Sequence, residues 1–273
     1  MNRKIAPKIK DAVDYSLALK PYEHYKLDNG IDVYSVNAGA QEVLQLEMVF
    51  YAGNSFEKQK GIAAATNFLL KNGTKTKSAF EINEAFEYYG GYCNRACYNE
   101  TATVTLHCLT KQIDKLLPIM QDMLTESVFS EEELSTYKQN SLQRLKVNLQ
   151  KAEFVAGRLI DSYIYGENHP YGVYTNPLDI ESVTVEACRQ FYNDYYLNGR
   201  CIIFVSGKFT EELNKQLNDT FGKLNTNTKK YCCAFVSVNN CNRKKIQNRQ
   251  RSQCCARCDT YCNAFPKSSS SRF

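Results

Sequence analysis

The sequence predicts an α+β fold in which helices pack on one face of an antiparallel β-sheet. Apolar and polar residues alternate over residues 43–50, as in a half-buried strand. An Asn29-Gly30 pair interrupts two alternating segments, as in a tight hairpin turn. Several longer segments place apolar residues at helical spacing, and helices in such a mixture cover one side of the sheet.

The first strands follow from these patterns in order. Residues 25–34 predict a hairpin, and residues 43–50 predict a strand that carries its apolar side chains on one face (Leu44, Leu46, Met48 and Phe50). Gln45 and Glu47 fall on the opposite face. This strand is therefore expected to have one face in the core.

Two helices are predicted next. Residues 61–74 read Gly-Ile-Ala-Ala-Ala-Thr-Asn-Phe-Leu-Leu-Lys-Asn-Gly-Thr, which indicates a mostly buried helix that closes at Gly73. Ser78 and Glu81 form a capping box for the second helix, because each side chain can satisfy a free amide of the first turn. Gly90 and Gly91 end this helix.

The central part of the chain predicts a strand pair and three helices. Residues 92–98 and 101–108 suit an antiparallel pair around Asn99-Glu100. The second of the three helices begins at Ser130 with Glu133 as a capping box. The third carries apolar residues at helical spacing: Phe154, Val155, Leu159 and Tyr163.

The last elements are two helices around a strand. A helix from about Thr184 leads into the apolar residues 201–205, which predict a central strand. Thr210 is expected to cap the final helix.

Composition restricts the function class. The chain has 273 residues, of which 43% are hydrophobic, so it can bury a sizeable core. No apolar segment approaches the roughly 20 residues of a membrane span, and none follows the basic amino terminus as in a secretory signal. We therefore expect a cytoplasmic protein without a membrane partner.

Charge and cysteine are concentrated near the carboxyl terminus. Residues 232–273 hold eight Lys and Arg against Asp259 alone, which leaves the first 231 residues slightly acidic despite the net charge of +5. No nucleic acid partner is expected for the folded part. Five cysteines in that part are interpreted as reduced core residues: Cys93, Cys97, Cys108, Cys188 and Cys201.

An ordered series of motifs carries a resemblance to a known family. The series comprises the Leu-Asp-Asn-Gly hairpin, the Tyr-Ala-Gly-Asn-Ser-Phe-Glu loop from Tyr51, the Gly-Ile-Ala helix, Gly90-Gly91, Asn94, and the His-Pro-Tyr-Gly loop from His169. It resembles the amino-terminal half of the pitrilysin/insulinase metallopeptidases. We expect an amino-terminal segment (1–21), a family-like domain (22–224), and a linker with a Cys-, Arg- and Ser-rich tail (225–273).

The resemblance implies a zinc motif that this sequence lacks. Family members are expected to carry His-x-x-Glu-His within the segment that corresponds to residues 61–74, and the matching positions here are Ala64, Asn67 and Phe68. The third zinc ligand, a Glu, corresponds to Arg144, and another acidic residue corresponds to Tyr137. We therefore expect no zinc and no catalytic residue in this chain.

Other metal sites are weaker hypotheses. His24, His107 and His169 are far apart in sequence and are interpreted as ordinary hydrogen-bonded residues. Cys255 and Cys258 form a C-x-x-C in the tail, which leaves open a zinc-dependent nucleic acid module.

The tail also admits a simpler interpretation. No Leu follows Leu224, and the composition changes abruptly to Cys, Arg, Asn, Gln and Ser. Such a change is typical of a frameshift, in which case the tail is disordered and has no selected function. The gene sequence tests this hypothesis.

Three functions follow from the resemblance. The first is a non-catalytic, truncated subunit of a two-part zinc peptidase that contributes chamber wall and peptide contacts, with Asn94 and Tyr98 as substrate-binding candidates. Its partners would be a paralogous subunit that carries the zinc motif, and a peptide substrate. The second is a pseudo-enzyme in an unrelated complex. The third is an active metallopeptidase with a displaced site.

Overall fold

The computed structural model describes residues 20–224, so the predictions for the tail and most of the amino-terminal segment lie outside the described residues. In this range the six strands are Glu23–Lys26 (β1), Asp32–Asn37 (β2), Val43–Phe50 (β3), Tyr92–Cys97 (β4), Ala102–Leu109 (β5) and Cys201–Gly207 (β6). The α-helices of the same range are Ile62–Leu69 (α1), Ala79–Tyr88 (α2), Ile113–Thr125 (α3), Glu131–Asn148 (α4), Ala152–Tyr165 (α5), Pro177–Ser182 (α6), Val185–Tyr192 (α7) and Glu212–Phe221 (α8).

The strands form one sheet in the order β1-β2-β6-β3-β5-β4. Neighbouring strands are antiparallel except β2 and β6, which are parallel. The α+β class is confirmed, while the sheet is mixed and not wholly antiparallel. The parallel pair is possible because most of the domain separates β2 from β6, so no hairpin sets their relative direction.

The core lies between one face of the sheet and the helices. Alternate residues of β3 are buried, as predicted, and β6 lies inside the sheet as the predicted central strand. These strands pack with buried helix residues such as Leu69, Leu116 and Phe221. The opposite face carries polar and aromatic side chains, among them Glu47 and the exposed Phe204.

Local signals in the first half are confirmed. Gly30 adopts a φ of 85° in the turn between β1 and β2. The Ser78–Glu81 capping box is present in both directions at the start of α2. The predicted closure of the preceding helix differs slightly, because α1 ends at Leu69 and a short turn leads on to Gly73.

The predicted capping box of α4 is half formed. The Ser130 hydroxyl accepts from the Glu133 amide, as expected. The Glu133 carboxylate instead accepts from Asn72 Nδ2 at 2.5 Å. This long-range acceptor role could not be inferred from the local sequence.

Three features of the later helices correct the sequence analysis. Helix α5 has no buried residue, and its predicted apolar position Leu159 is 49% exposed. Helix α8 begins after Glu211 without a side-chain cap from Thr210. The short helix α6 was missed, although Asn176 and Asp179 form a capping box around Pro177.

Candidate functional site

The segment that corresponds to the family's zinc motif is helix α1. The Glu57 carboxylate caps it, since Oε2 accepts from the backbone amides of Gly61 at 3.1 Å and Ala63 at 3.0 Å. Burial raises the pKa of Glu57, and these hydrogen bonds and Lys60 oppose the increase. Glu57 is therefore occupied in positioning the first turn of the helix.

The three motif positions point to different surroundings. Ala64 is half-buried. Asn67 is buried, and its Nδ2 donates to the Thr103 carbonyl at 3.4 Å and to the Tyr196 hydroxyl at 3.2 Å. Asn67 therefore stabilises the contact between α1, β5 and the turn that follows α7.

Phe68, the third motif position, lies against a cation and a second aromatic ring. The Arg95 guanidinium carbon is 5.2 Å from the Phe68 ring centroid, within the range of a cation–π contact. The Tyr137 ring lies 5.1 Å from Phe68, centroid to centroid. Burial, as the largest cause, raises the pKa of Tyr137 to about 12, so its hydroxyl is protonated at neutral pH.

Arg95 is held in place by one acceptor in the last turn of α1 and one on the α1–α2 connection. Its Nη1 donates to the Phe68 carbonyl and, at 3.1 Å, to Asn72 Oδ1. Burial lowers the pKa of Arg95, yet an arginine remains cationic at neutral pH. Among residues 20–224 no carboxylate forms an ion pair with it.

Helix α4 brings its two predicted positions to the same place. Tyr137 and Arg144 line a cleft of about 500 Å³ together with Phe68. The structure thus gathers three of the five predicted positions at this cleft, while Asn67 is buried elsewhere and Ala64 is not among the lining residues.

These residues do not fit a zinc ion. A phenyl ring, a phenol and a guanidinium line the cleft where the resemblance implies imidazole and carboxylate ligands. The Arg95 guanidinium behind Phe68 would repel a dication. Within the described part of the chain, no group of three or more His, Cys, Asp or Glu side chains could hold a metal ion.

Sequence reasoning missed Arg95, although a signal was available. Alternation along β4 places Arg95 on the same side as the buried Cys93, which faces the helices. A cation on the inward face of a strand requires a specific acceptor.

The two substrate-binding candidates lie apart from this cleft. Asn94 is exposed and, by alternation, faces away from α1, opposite Thr105 of the neighbouring strand. Tyr98 is exposed in the turn after β4, the last strand in the sheet order. Their role stays a prediction.

His24 and His107 have ordinary surroundings within the described range, whereas His169 Nε2 is buried there without a hydrogen-bond partner. His24 Nε2 lies 2.9 Å from Asp32 Oδ1, and His107 is exposed on β5, as its alternation predicts. His169 Nδ1 accepts from the Tyr171 amide at 3.1 Å.

A match to a family model shows which protein family this chain belongs to. The model of the insulinase family, peptidase family M16, matches residues 32–173, which is more than half of the chain. The chain belongs to the insulinase family. The model of the peptidase M16 inactive domain matches residues 182–257.

Curated relatives of this insulinase-family chain include zinc proteases. It is 26% identical over 204 residues to the uncharacterized zinc protease YmxG of Bacillus subtilis, covering 73% of this chain and 50% of the relative. It is 26% identical over 212 residues to a probable mitochondrial-processing peptidase subunit beta of Schizosaccharomyces pombe, covering 76% of this chain and 46% of the relative. The chain spans about half the length of these relatives.

Solved structures show the same insulinase-family fold. The peptidase M16 inactive domain from Pseudomonas fluorescens aligns with a TM-score of 0.67 at 20% identity, over 72% of this chain and 49% of the other. The periplasmic protease PqqL from Escherichia coli aligns with a TM-score of 0.65 at 18% identity, over 74% of this chain and 24% of the other.

Within residues 20–224, none of the helices has the length and apolar character needed to cross a membrane. The cytoplasmic location stays a prediction.

Replacing Asn67 with Ala is expected to lower the free energy of unfolding by about 2–3 kcal/mol, because Tyr196 and Thr103 lose a buried donor and a small cavity forms. Urea unfolding measures the loss. The exposed Asn140→Ala should change stability by less than about 0.5 kcal/mol. In a Tyr196→Phe background the loss at Asn67 should fall by about 1 kcal/mol, and an unchanged loss would contradict the assigned hydrogen bond.

Proposed function

We propose that this chain is the non-catalytic half of a two-part zinc peptidase, and that a paralogous partner with an intact His-x-x-Glu-His motif carries the zinc. The observation that most directly supports this proposal is that Phe68, at a position of the zinc motif, contacts Arg95 and Tyr137. The relatives add support, since one is named as a subunit of a mitochondrial-processing peptidase. In this proposal the chain forms one wall of a chamber that encloses the peptide.

Strand β4 is the proposed site of peptide contact. It is the last strand in the sheet order, so its outer edge has no neighbouring strand within residues 20–224. An extended peptide can add to such an edge through backbone hydrogen bonds. Asn94 and Tyr98 are exposed on or beside this strand and would contact the substrate's side chains.

The partner surface is proposed at the end of α4 and along α5. Leu149 and Leu159 are exposed there, although each is a large apolar side chain. Helix α5 has no buried residue, so the sheet-side core does not account for its apolar positions. Apolar groups that remain exposed in this way favour contact with another chain.

The test is co-expression with a paralogue from the same genome that carries the zinc motif. We expect the two chains to co-purify, and cleavage of a quenched fluorescent peptide library to require both. Cleavage by the paralogue alone at the same rate would favour a pseudo-enzyme in another complex. Cleavage by this chain alone, with stoichiometric zinc, would favour a displaced active site.

A substitution on α5 makes this test specific. Leu159→Asp should reduce the co-purified paralogue by at least about tenfold, because it places a charge in an apolar interface. Leu178→Asp is the matched control, since Leu178 is an exposed leucine on α6. Equal yields with both variants would contradict the proposed surface.

A further inference from the structure

The cleft between Phe68 of α1 and helix α4 is lined by charged and polar side chains that the loss of zinc does not explain. Tyr137, Ser141, Arg144 and Asn148 line it and recur along one face of α4. Lys151 follows on the connection to α5 and also lines the cleft. With Asn140 and Gln143, the lining therefore combines two cations, three amides, hydroxyl groups and aromatic rings.

The charges in this cleft lack a compensating acid. No Asp or Glu of the described range is among the lining residues. Neither Arg144 nor Lys151 forms an ion pair within residues 20–224. Lys151 Nζ donates to Asn148 Oδ1 at 3.0 Å, which holds the ammonium at the rim through a neutral group. An anion entering the cleft would meet both cations without displacing a carboxylate.

A third cation lies close to the cleft, against its Phe68 wall. The Arg95 guanidinium lies against the Phe68 ring and has no carboxylate partner in the described range. Its position is set by the Phe68 carbonyl and Asn72, so it cannot leave without breaking these bonds. Its charge therefore adds to that of Arg144 and Lys151.

The remaining lining suits a peptide better than a small inorganic anion. Asn140, Gln143 and Asn148 supply amides that can bond to a peptide backbone, and Phe68 and Tyr137 supply an apolar wall. The volume of about 500 Å³ is within the range of small-ligand sites. A guanidinium such as that of Arg144 binds a carboxylate with two parallel hydrogen bonds.

We propose that this cleft binds a carboxylate of a peptide, through Arg144 and Lys151, at the place where the family's metal ligands are expected. The inference deepens the proposed function, because it gives the chamber wall a preference for acidic peptides. The carboxylate could belong to an acidic side chain or to the peptide's carboxyl terminus.

Fluorescence anisotropy with the full chain alone tests the proposal. Four labelled peptides differ only at one Asp/Asn position and at the carboxyl terminus: one has Asp and an amidated terminus, one has Asn and a free terminus, one has both carboxylates, and one has neither. We expect the carboxylate peptides to bind about tenfold more tightly than the neutral peptide at low ionic strength, and salt to reduce the difference. The two single-carboxylate peptides identify the source.

Variants assign the binding to this cleft. Arg144→Gln should lower the affinity for the carboxylate peptides by about tenfold, and Arg144→Lys should lower it less. Both variants should leave the affinity for the neutral peptide unchanged. Lys146→Gln is the matched control, since Lys146 is exposed on α4 and does not line the cleft. Arg144 is exposed and makes no hydrogen bond in the described range, so its variants should keep the unfolding temperature of the parent.

Two results would overturn the proposal: equal affinity for all four peptides, or equal loss with Arg144→Gln and Lys146→Gln. Because no partner chain takes part, either result would leave the two-chain peptidase standing. Conversely, cleavage by a paralogue without this chain would contradict the proposal of a two-chain peptidase but would not contradict the proposed carboxylate site.

Discussion

Rebuilding the family's zinc ligands in this chain is expected to produce tight zinc binding only when Arg95 is removed as well. The rebuilt variant carries the three ligands through Ala64→His, Phe68→His and Arg144→Glu, and Asn67→Glu completes the motif without adding a ligand. The introduced imidazole at position 68 would lie about where the Phe68 ring now contacts the Arg95 guanidinium, whose carbon is 5.2 Å from the ring centroid. A fixed cation there repels the metal and competes for the new carboxylates.

Adding Arg95→Ala to the rebuilt variant should raise the affinity for zinc by at least about 100-fold, which corresponds to about 3 kcal/mol. Titration calorimetry with zinc measures the gain. Arg200→Ala is the matched control, because Arg200 also stacks on an aromatic ring, at 5.0 Å from the centroid of Tyr51. The same affinity with and without Arg95 would show that its charge does not oppose the metal.

Replacing Gly207 with Ala is expected to lower the free energy of unfolding by at least about 3 kcal/mol. Gly207 ends β6 with a φ of +139°, and a Cβ there would lie 2.2 Å from the Val43 carbonyl oxygen of the paired strand. The backbone on both sides is held, since Lys208 donates its amide to that carbonyl at 3.1 Å and the Gly207 carbonyl accepts from Ala38. Strain and close contact therefore act together.

Two other glycines separate these causes in urea unfolding. Gly90 has a φ of +65°, and an added Cβ would meet no atom within 4 Å beyond its chain neighbours, so Gly90→Ala should lose only about 1 kcal/mol through backbone strain. Gly157 lies inside α5 with open space around it, so Gly157→Ala should gain about 0.5–1 kcal/mol. Similar losses at Gly207 and Gly90 would contradict a role for the Val43 contact.

The candidate site was accessible from the sequence only in part. Matching the ordered motifs identified Phe68, Tyr137 and Arg144, which the fold brings to one cleft. It did not identify Arg95, because the contacts of that side chain with Phe68 form only when β4 packs against α1. It also did not show that Asn67 points away from the cleft, because the hydrogen-bond partners of Asn67 lie far along the chain.

The sequence by itself determined the features that depend on neighbouring residues: the hairpin at Gly30, the alternation along β3, and the cap of α2 at Ser78. The dihedral angles of a turn, the faces of a strand and the partners of first-turn amides are each set by residues close in sequence. Local patterns therefore suffice to predict them. The tertiary structure alone decided the parallel pairing of β2 with β6, the exposure of α5, and the place of Arg95 beside Phe68. Each of these depends on segments that meet only after the chain folds.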